Sequence, residues 1–256
     1  MTTGPADHRL AADLAEGAGQ LLVALRDELV AAGAAADTLR AEGDQRSHRY
    51  LMDQLSARAP EDAVRSEEGG PVGDLAGPRL WIVDPLDGTR EFGEPPRRDW
   101  AVHVALATGG VAGVGAVALP ARGLNLTTAD PPTLPPAAAG RRRVVVSRTR
   151  PPAAAAPLAE RLGADLVPLG SAGAKAMAVV LGEAEVYVHG GGQYEWDSAA
   201  PAAVAAAAGC HVSRLDGSPL RYGKPDPYQP DLLVCRPEMA DEVLALLAEL
   251  VPSPPA

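Results

Sequence analysis

The stretch that decides the fold is WIVDPLDGTREF, Trp81–Phe92. The apolar run over residues 80–83 predicts a buried strand. The strand leads directly into Asp84 and Asp87, which have a proline and a leucine between them. Because proline fixes its own φ and cannot continue a strand ladder, the chain can fold back there. Both carboxylates and the Leu86 carbonyl can then point into one site.

The two residues that follow suit the same site. Gly88 has no Cβ, so an anion can approach the backbone amides closely, and the Thr89 hydroxyl can orient a water molecule. The alternative for this stretch alone is an ordinary turn, in which Asp-Gly is the turn signal and Asp87 caps the next segment. Acidic residues elsewhere in the chain favour the site.

Three further segments place carboxylates at the ends of apolar runs. They carry Asp44 in EGD, Glu67 with Glu68 in VRSEE, and Asp197 in EWDSAA. Carboxylates that converge repel one another, so one of them has its pKa raised unless a cation lies between them. Mg²⁺ prefers oxygen ligands and is the simplest such cation. Asp197 alone is equally an N-cap, because residues 198–200 predict a helix start, which also favours a nearby phosphate.

The composition limits the partners of the chain. Its 256 residues include 23 Lys and Arg against 33 Asp and Glu, for a formal net charge of −10. This charge argues against binding of nucleic acid polymers. The sequence has no secretory signal and no apolar run that could span a bilayer, and Cys210 and Cys235 have no ligand spacing. We therefore expect a soluble, cytoplasmic protein that does not bind membranes.

Periodicity in the first half predicts an α+β arrangement. Residues 8–31 form an amphipathic helix, and a second helix follows Asp44 and ends before Pro60. Strands are predicted at residues 63–66, 80–83, 100–107 and 111–119. The last two strands form a hairpin through Gly109-Gly110.

The proline-rich segment 129–140 predicts a connector. We therefore expect an N-terminal subdomain over residues 1–135 that carries most metal ligands, and a C-terminal α/β subdomain over residues 136–256 that carries Asp197 and the specificity residues. Strands are predicted at residues 144–146, 166–169, 185–188 and 232–235. Helices are predicted at residues 157–162, 172–181, 198–208 and 238–250.

The chain resembles the inositol monophosphatase superfamily, whose members are Mg²⁺-dependent and lithium-sensitive. Within it, the chain is most similar to the 3'(2'),5'-bisphosphate nucleotidases of the CysQ type, in the actinobacterial branch. The segments that carry the resemblance are VRSEE, WIVDPLDGTREF, WAVHVAL, ALPARG, VVVSRTRPP, GSAGAKAMAVV and EWDSAAPAAVAAAAG. The resemblance implies a layered αβαβα sandwich of two subdomains.

The resemblance also implies a set of metal ligands. Glu67, Asp84 and the Leu86 carbonyl would hold a first Mg²⁺. Asp84, Asp87 and Asp197 would hold a second, and Glu67 would support a weaker third. Two metals about 3.5–4 Å apart can stabilise both the entering and the leaving oxygen of an in-line displacement.

The catalytic residues implied by the resemblance are Asp44, Thr89 and Glu67. Thr89 paired with Asp44 would position and deprotonate the attacking water, and the amides of Gly88 and Thr89 would grip the scissile phosphate. The family has Lys-x-Asp-Gly-Ser-Pro-Val-Thr before the Asp44 position, whereas this chain has AAADTLRAEGD. Whether a third metal ion binds is therefore left open.

Substrate contacts are expected mostly in the second half. The resemblance places Ser171 and Lys175 against the nucleotide, with Lys175 near the phosphate that is not cleaved; the alternative is a solvated surface lysine. Ser147 and Arg148 can reach a phosphate or the adenine ring, or form an ordinary strand end. The expected set is completed by Gly88, Thr89, Arg90 and Asp197.

Two more residues have open alternatives. His189 stands where relatives carry an arginine near the nucleotide, but a noncatalytic role is favoured because the five histidines show no ligand spacing. Glu195 can contact a sugar hydroxyl or lie at the surface.

The activity implied is removal of the 3'-phosphate of adenosine 3',5'-bisphosphate (PAP), and also of its sulfated relative PAPS, in sulfur assimilation. Inositol monophosphatase and fructose 1,6-bisphosphatase activity are alternatives within the superfamily. A noncatalytic metal or nucleotide sensor is a third hypothesis, which Thr89 disfavours because a sensor does not need to orient water. The sequence leaves open whether the chain forms a homodimer.

Overall fold

Two five-stranded sheets organise the chain, in a computed structural model that describes residues 3–137 and 139–251. The first sheet has its strands in chain order: β1 (Ala63–Ser66), β2 (Arg79–Asp87), β3 (Ala101–Thr108), β4 (Val111–Leu119) and β5 (Leu124–Thr127). β1 runs parallel to β2, and the other neighbours are antiparallel. β2 therefore lies inside the sheet, with its carboxyl end beside that of β1.

The second sheet has the order β7-β6-β8-β10-β9. Its strands are β6 (Arg143–Ser147), β7 (Asp165–Leu169), β8 (Val186–Tyr194), β9 (His211–Ser213) and β10 (Tyr228–Cys235). β6 is parallel to β7 and to β8, whereas β10 is antiparallel to β8 and to β9.

The described residues include seven α-helices, six of which form three layers around the sheets. They are α1 (Pro5–Ala31), α2 (Ala36–Arg58), α3 (Thr89–Phe92), α4 (Ala155–Leu162), α5 (Ala172–Val180), α6 (Glu195–Ala207) and α7 (Ala240–Leu250). α1 and α2 cover the outer face of the first sheet, α5 and α6 pack between the sheets, and α4 and α7 cover the outer face of the second. The expected αβαβα sandwich is confirmed.

Alternation along β2 explains the layers. Trp81 and Val83 pack in the outer core with α1 and α2, whereas Leu80 and Ile82 pack in the core between the sheets. Side chains on a strand point alternately to its two faces, and a strand covered on both faces is apolar at every position. The unbroken apolar run before Asp84 is therefore the signature of a doubly covered strand.

Two of the helix starts that differ from the sequence prediction change the setting of a site residue. α2 begins at Ala36, so Asp44 lies inside the helix and not before it. The early turns of α2 bury little apolar surface apart from Leu39, so periodicity could not reveal them. α6 begins at Glu195, which places Asp197 in its first turn and not at the N-cap.

The short strands β5 and β9 were also missed, since both lie at sheet edges and have only one neighbouring strand. Among the described residues, no helix has the length and hydropathy needed to cross a membrane. The division into subdomains at residues 135 and 136 stays a prediction, because α5 and α6 pack against both sheets.

Candidate active site

The carboxyl end of β2 brings Asp84 and Asp87 together. The pairing of β2 with β3 is interrupted between these two residues, where the chain passes through the proline. The Leu86 amide donates a hydrogen bond to Asp84 Oδ1 at 3.1 Å, which holds the folded-back segment. Both aspartates are buried.

Asp197 reaches the same place from the other half of the chain. Its Oδ2 accepts a hydrogen bond from the Tyr194 amide at 2.7 Å, which fixes the side chain at the start of α6. Asp84, Asp87 and Asp197 each offer a carboxylate oxygen, and these oxygens lie within 4.8 Å of one another. Residues far apart in sequence thus form one acidic cluster.

Glu67 lies at the margin of this cluster, just after β1. Its carboxyl group is close enough to that of Asp84 for the two to share a proton. The residue is exposed at the rim of the site. Partial desolvation of the carboxyl group, together with the charges of Asp87, Glu68 and Asp44, nevertheless raises the pKa of Glu67 to about 7.

Burial and mutual repulsion dominate the electrostatics of the cluster. Burial and the charges of Glu67 and Asp87 raise the pKa of Asp84 well above its usual range. Burial and the charge of Asp87 raise the pKa of Asp197 to about 7. Burial also acts to raise the pKa of Asp87, but the contact with His103 outweighs it and holds that pKa below its usual value.

These residues fit a hard divalent cation. The cluster offers oxygen donors from side chains that repel one another at neutral pH, which is the donor set that Mg²⁺ prefers. Asp84, Asp87 and Asp197 have suitable mutual distances, and Glu67 is adjacent. The site can therefore hold a metal with carboxylate ligands from both halves of the chain.

The start of α5 holds Asp87 in place. Asp87 Oδ2 accepts a hydrogen bond from Ser171 Oγ at 2.5 Å and from the Gly173 amide at 2.8 Å. His103 Nε2 lies 3.2 Å from the same oxygen. Ser171 Oγ also accepts from the Ala174 amide, so this hydroxyl caps α5 and orients a cluster carboxylate.

Thr89 connects the cluster to Asp44. Its hydroxyl lies 2.9 Å from the Leu86 carbonyl oxygen and 3.2 Å from Asp44 Oδ1, so its single proton has two alternative acceptors. Burial and the charge of Glu68 raise the pKa of Asp44 to about 7, against the opposing effect of the Thr89 hydrogen bond. α2 brings Asp44 within reach of Thr89 because Gly43 packs directly on Leu86.

Gly88 is the one position in the motif where backbone geometry requires glycine. Its φ is 86°, in the left-handed region that side chains disfavour. A Cβ there would lie 3.2 Å from Ser171 Cβ and from the backbone of Asp99 and Trp100. Any other residue would therefore disturb the contact between the DGT segment and the start of α5.

A cavity of about 220 Å³ adjoins the cluster. It is lined by the whole expected substrate-binding set: Gly88, Thr89, Arg90, Ser147, Arg148, Ser171, Lys175 and Asp197. The sequence thus indicated residues that the fold brings to one cavity, although their contacts with substrate stay a prediction.

Two of the cavity cations already have protein partners. Lys175 is 5% exposed, so the alternative of a solvated surface lysine is wrong, and its Nζ donates to the carbonyl oxygens of Gly170 and Ser171 at 2.6 and 2.7 Å. Arg148 donates to Glu91 Oε1 at 2.6 Å and to Glu94 Oε2 at 3.0 Å. Much of the Arg148 charge is therefore neutralised within the protein.

Two site residues escaped the sequence analysis. His103 behind Asp87 had one signal, a lone histidine within the apolar strand segment WAVHVAL, and Gln193 lines the cavity without any such signal. His189, which the resemblance placed near the nucleotide, also lines the cavity, as does Glu91, an expected rim residue beside Arg90. For Glu195 both expectations were wrong, because it is fully buried and pairs with Arg65 at 2.6 Å.

Comparison with known proteins identifies the family of the chain. Residues 8–133 and 136–252 match the inositol monophosphatase family. The chain belongs to the inositol monophosphatase family. This membership confirms the resemblance that the acid motifs carried, and the family is metal-dependent, in agreement with the acidic cluster.

Relatives and solved structures are similar to nearly the whole chain. The chain is 48% identical over 261 residues to the 3'-phosphoadenosine 5'-phosphate phosphatase of Mycobacterium leprae (strain TN), covering 95% of this chain and 94% of the relative. The structure of CysQ from Bacteroides thetaiotaomicron superposes with a TM-score of 0.75 at 25% identity, covering 90% and 97% of the two chains. The inositol monophosphatase from Anabaena (Nostoc) sp. PCC 7120 shares the fold, with a TM-score of 0.76, 21% identity and 96% coverage of both chains.

Proposed function

We propose that this protein hydrolyses the 3'-phosphate of PAP and releases AMP and inorganic phosphate. The observation that carries the chemistry is the cluster of Asp84, Asp87 and Asp197 beside a cavity whose margin includes Thr89. The choice of substrate is supported by the Mycobacterium leprae relative, which matches nearly the whole chain. PAPS is proposed as a second substrate.

Two Mg²⁺ ions are proposed as cofactors. Glu67, Asp84 and the Leu86 carbonyl would hold one, and Asp84, Asp87 and Asp197 the other; a third ion at Glu67 is left as an option. Bound metal would lower the pKa of a coordinated water and stabilise negative charge on the entering and leaving oxygens.

The protein groups would supply proton transfer and orientation. When Thr89 donates its hydrogen bond to Asp44, the lone pairs of Thr89 Oγ1 are free to accept a hydrogen bond from water. Asp44 has a pKa near neutrality, which suits a general base at physiological pH. Glu67 is a second acceptor at the rim, and the amides of Gly88 and Thr89 are proposed to grip the scissile phosphate.

Substrate binding is assigned to the opposite part of the cavity. Lys175 and Ser171 are proposed near the phosphate that stays, and Ser147 and Arg148 near a phosphate or the adenine ring. Arg90 is proposed as a rim contact. A cytoplasmic location and sulfur assimilation are proposed with this substrate, and a homodimer stays an alternative to a monomer.

The deciding experiment compares phosphate release from PAP, PAPS, inositol 1-phosphate and fructose 1,6-bisphosphate at equal Mg²⁺. We expect the highest kcat/KM with PAP. A clear preference for inositol 1-phosphate or fructose 1,6-bisphosphate would overturn the proposed substrate. Binding of PAP without release of phosphate would instead support the noncatalytic sensor.

A further inference from the structure

The cavity wall formed by the end of β8 carries two polar atoms without partners among the described residues. Gln193 is 3% exposed, and its Nε2 donates a hydrogen bond to Tyr187 Oη at 2.9 Å, while its Oε1 is buried and unpartnered. His189 Nε2 is likewise buried and unpartnered. Both residues line the cavity beside the acidic cluster.

A bulge in β8 lies between His189 and Gln193. Two residues of β8, Gly191 and Gly192, lie opposite the single residue Pro230 of β10 where the register shifts. Both glycines have positive φ, of 95° and 79°. Gly192 lines the cavity together with His189 and Gln193.

The two unpartnered atoms, Gln193 Oε1 and His189 Nε2, are both hydrogen-bond acceptors. The Nε2 of Gln193 donates to the Tyr187 hydroxyl, and its Oε1 is a carbonyl oxygen, which is an acceptor. Burial and the charge of Lys175 lower the pKa of His189 to about 4, against a contact with the Gly191 backbone that acts to raise it. The ring is therefore neutral at physiological pH, and Nε2 accepts when the other ring nitrogen carries the proton.

Unpartnered buried acceptors in a cavity wall point to a ligand that brings donors. Nearly all buried polar groups in proteins are hydrogen-bonded, and an acceptor that has lost water without gaining a donor destabilises the free protein. Acceptors placed in this way also reject an analogue that lacks the donor, because they are then left unpaired.

We propose that Gln193 Oε1 and His189 Nε2 form an acceptor pair that binds N–H or O–H donors of the substrate and so determines its specificity. The inference rests on the proposed function and adds residues that recognise the nucleoside. Two groups of PAP can supply the donor, the 2'-hydroxyl of the ribose and the 6-amino group of adenine.

The test compares three substrates of the full chain with Mg²⁺. They are PAP, 2'-deoxyadenosine 3',5'-bisphosphate, which lacks the hydroxyl, and purine riboside 3',5'-bisphosphate, in which a hydrogen atom replaces the amino group. We expect kcat/KM to fall about tenfold or more for at least one analogue, as for loss of a hydrogen bond to a buried acceptor. Gln193→Leu or His189→Phe should reduce that preference to about twofold or less, since neither introduced side chain can accept a hydrogen bond.

Tyr187→Phe is the matched control, because it removes the same internal hydrogen bond but leaves Gln193 Oε1 in place. It should keep the preference for PAP. Equal rates of the wild type with all three substrates, or an unchanged preference in both Gln193→Leu and His189→Phe, would overturn the acceptor pair. The wild-type comparison decides even if a variant does not fold.

Failure of the proposed function gives a different result. If the wild type hydrolyses none of the three compounds, that function is wrong, and equilibrium binding of the same compounds then tests the acceptor pair alone. Equal affinities would overturn the pair, whereas weaker binding of one analogue would support it.

Discussion

At the scale of single residues, Thr89 and Asp44 have the strongest link between geometry and proposed chemistry. The Thr89 hydroxyl can donate to Asp44 or to the Leu86 carbonyl, so it stands between a potential base and a proposed metal ligand. Neither residue belongs to the carboxylate cluster itself. Their removal should therefore separate catalysis from metal binding.

Thr89→Ala should lower kcat with PAP by about 100-fold or more, because a positioned proton acceptor and donor contributes that much to general acid–base catalysis. Mg²⁺ affinity, measured by calorimetry, should change little, since no cluster carboxylate is altered. Thr89→Ser is the control and should retain most activity. Full activity in Thr89→Ala would contradict the proposed role.

The raised pKa of Asp44 predicts a pH dependence. Below about pH 7 the carboxyl group is protonated and cannot accept a proton, so kcat/KM should rise with pH and level off above about 7. Asp44→Asn should lower the activity and remove this rising limb. Rate profiles of both proteins at saturating Mg²⁺ measure the effect, and an unchanged limb in the variant would assign it to another group.

At the scale of elements, the N-terminus of α5 donates hydrogen bonds to the carboxylate of Asp87. Asp87 receives the Gly173 amide and the Ser171 hydroxyl, a geometry that favours negative charge at a helix start. Gly173 is required for space, since a Cβ there would lie 2.1 Å from His103 Nε2. The position of Asp87 thus depends on close packing between α5 and β3.

Gly173→Ala should weaken Mg²⁺ binding and destabilise the protein by about 1–3 kcal/mol, the usual cost of overpacking. Gly113→Ala is the matched control, because a Cβ at Gly113 would meet nothing within 4 Å. Calorimetric titration with Mg²⁺ and thermal unfolding measure both effects. Equal behaviour of the two variants would show that Asp87 does not depend on this contact.

Helices and strands that bury much apolar surface were predicted more accurately from the sequence than those that bury little. β2 was recognisable because both its faces are covered, and its acidic end marked the site. The first turns of α2 were missed since they are mostly polar, and with them the true setting of Asp44. His103 and Gln193 could not be placed, because their roles come from contacts between distant segments of the chain.

At the scale of the whole molecule, the acidic cluster links stability to pH and to metal. Asp84 and Asp197 have raised pKa values in the folded state, so metal-free folded protein holds more protons than the unfolded chain at mildly acidic pH. Stability falls with pH wherever the unfolded state binds fewer protons. Deprotonation of the cluster therefore opposes folding unless a cation is bound.

With EDTA present, the Tm should decrease as the pH rises from about 5 to about 8, since Asp197 loses its proton near pH 7 in the folded state and near pH 4 in the unfolded state, and the pKa of Asp84 is also raised by folding. Added Mg²⁺ should raise the Tm more at pH 8 than at pH 5. Scanning calorimetry at both pH values measures this, and an equal Mg²⁺ effect would contradict the linkage. Asp216→Asn, far from the cluster in sequence and exposed, is a control that should retain the response.

The buried pair of Arg65 and Glu195 joins β1 of the first sheet to the start of α6. Removal of either side chain would leave an uncompensated charge in a dry interior, at a cost of about 3–5 kcal/mol. The pair therefore anchors the first turn of α6 to β1. Because Asp197 follows Glu195 by two residues, this anchor also fixes one proposed metal ligand relative to the sheet that carries Asp84 and Asp87.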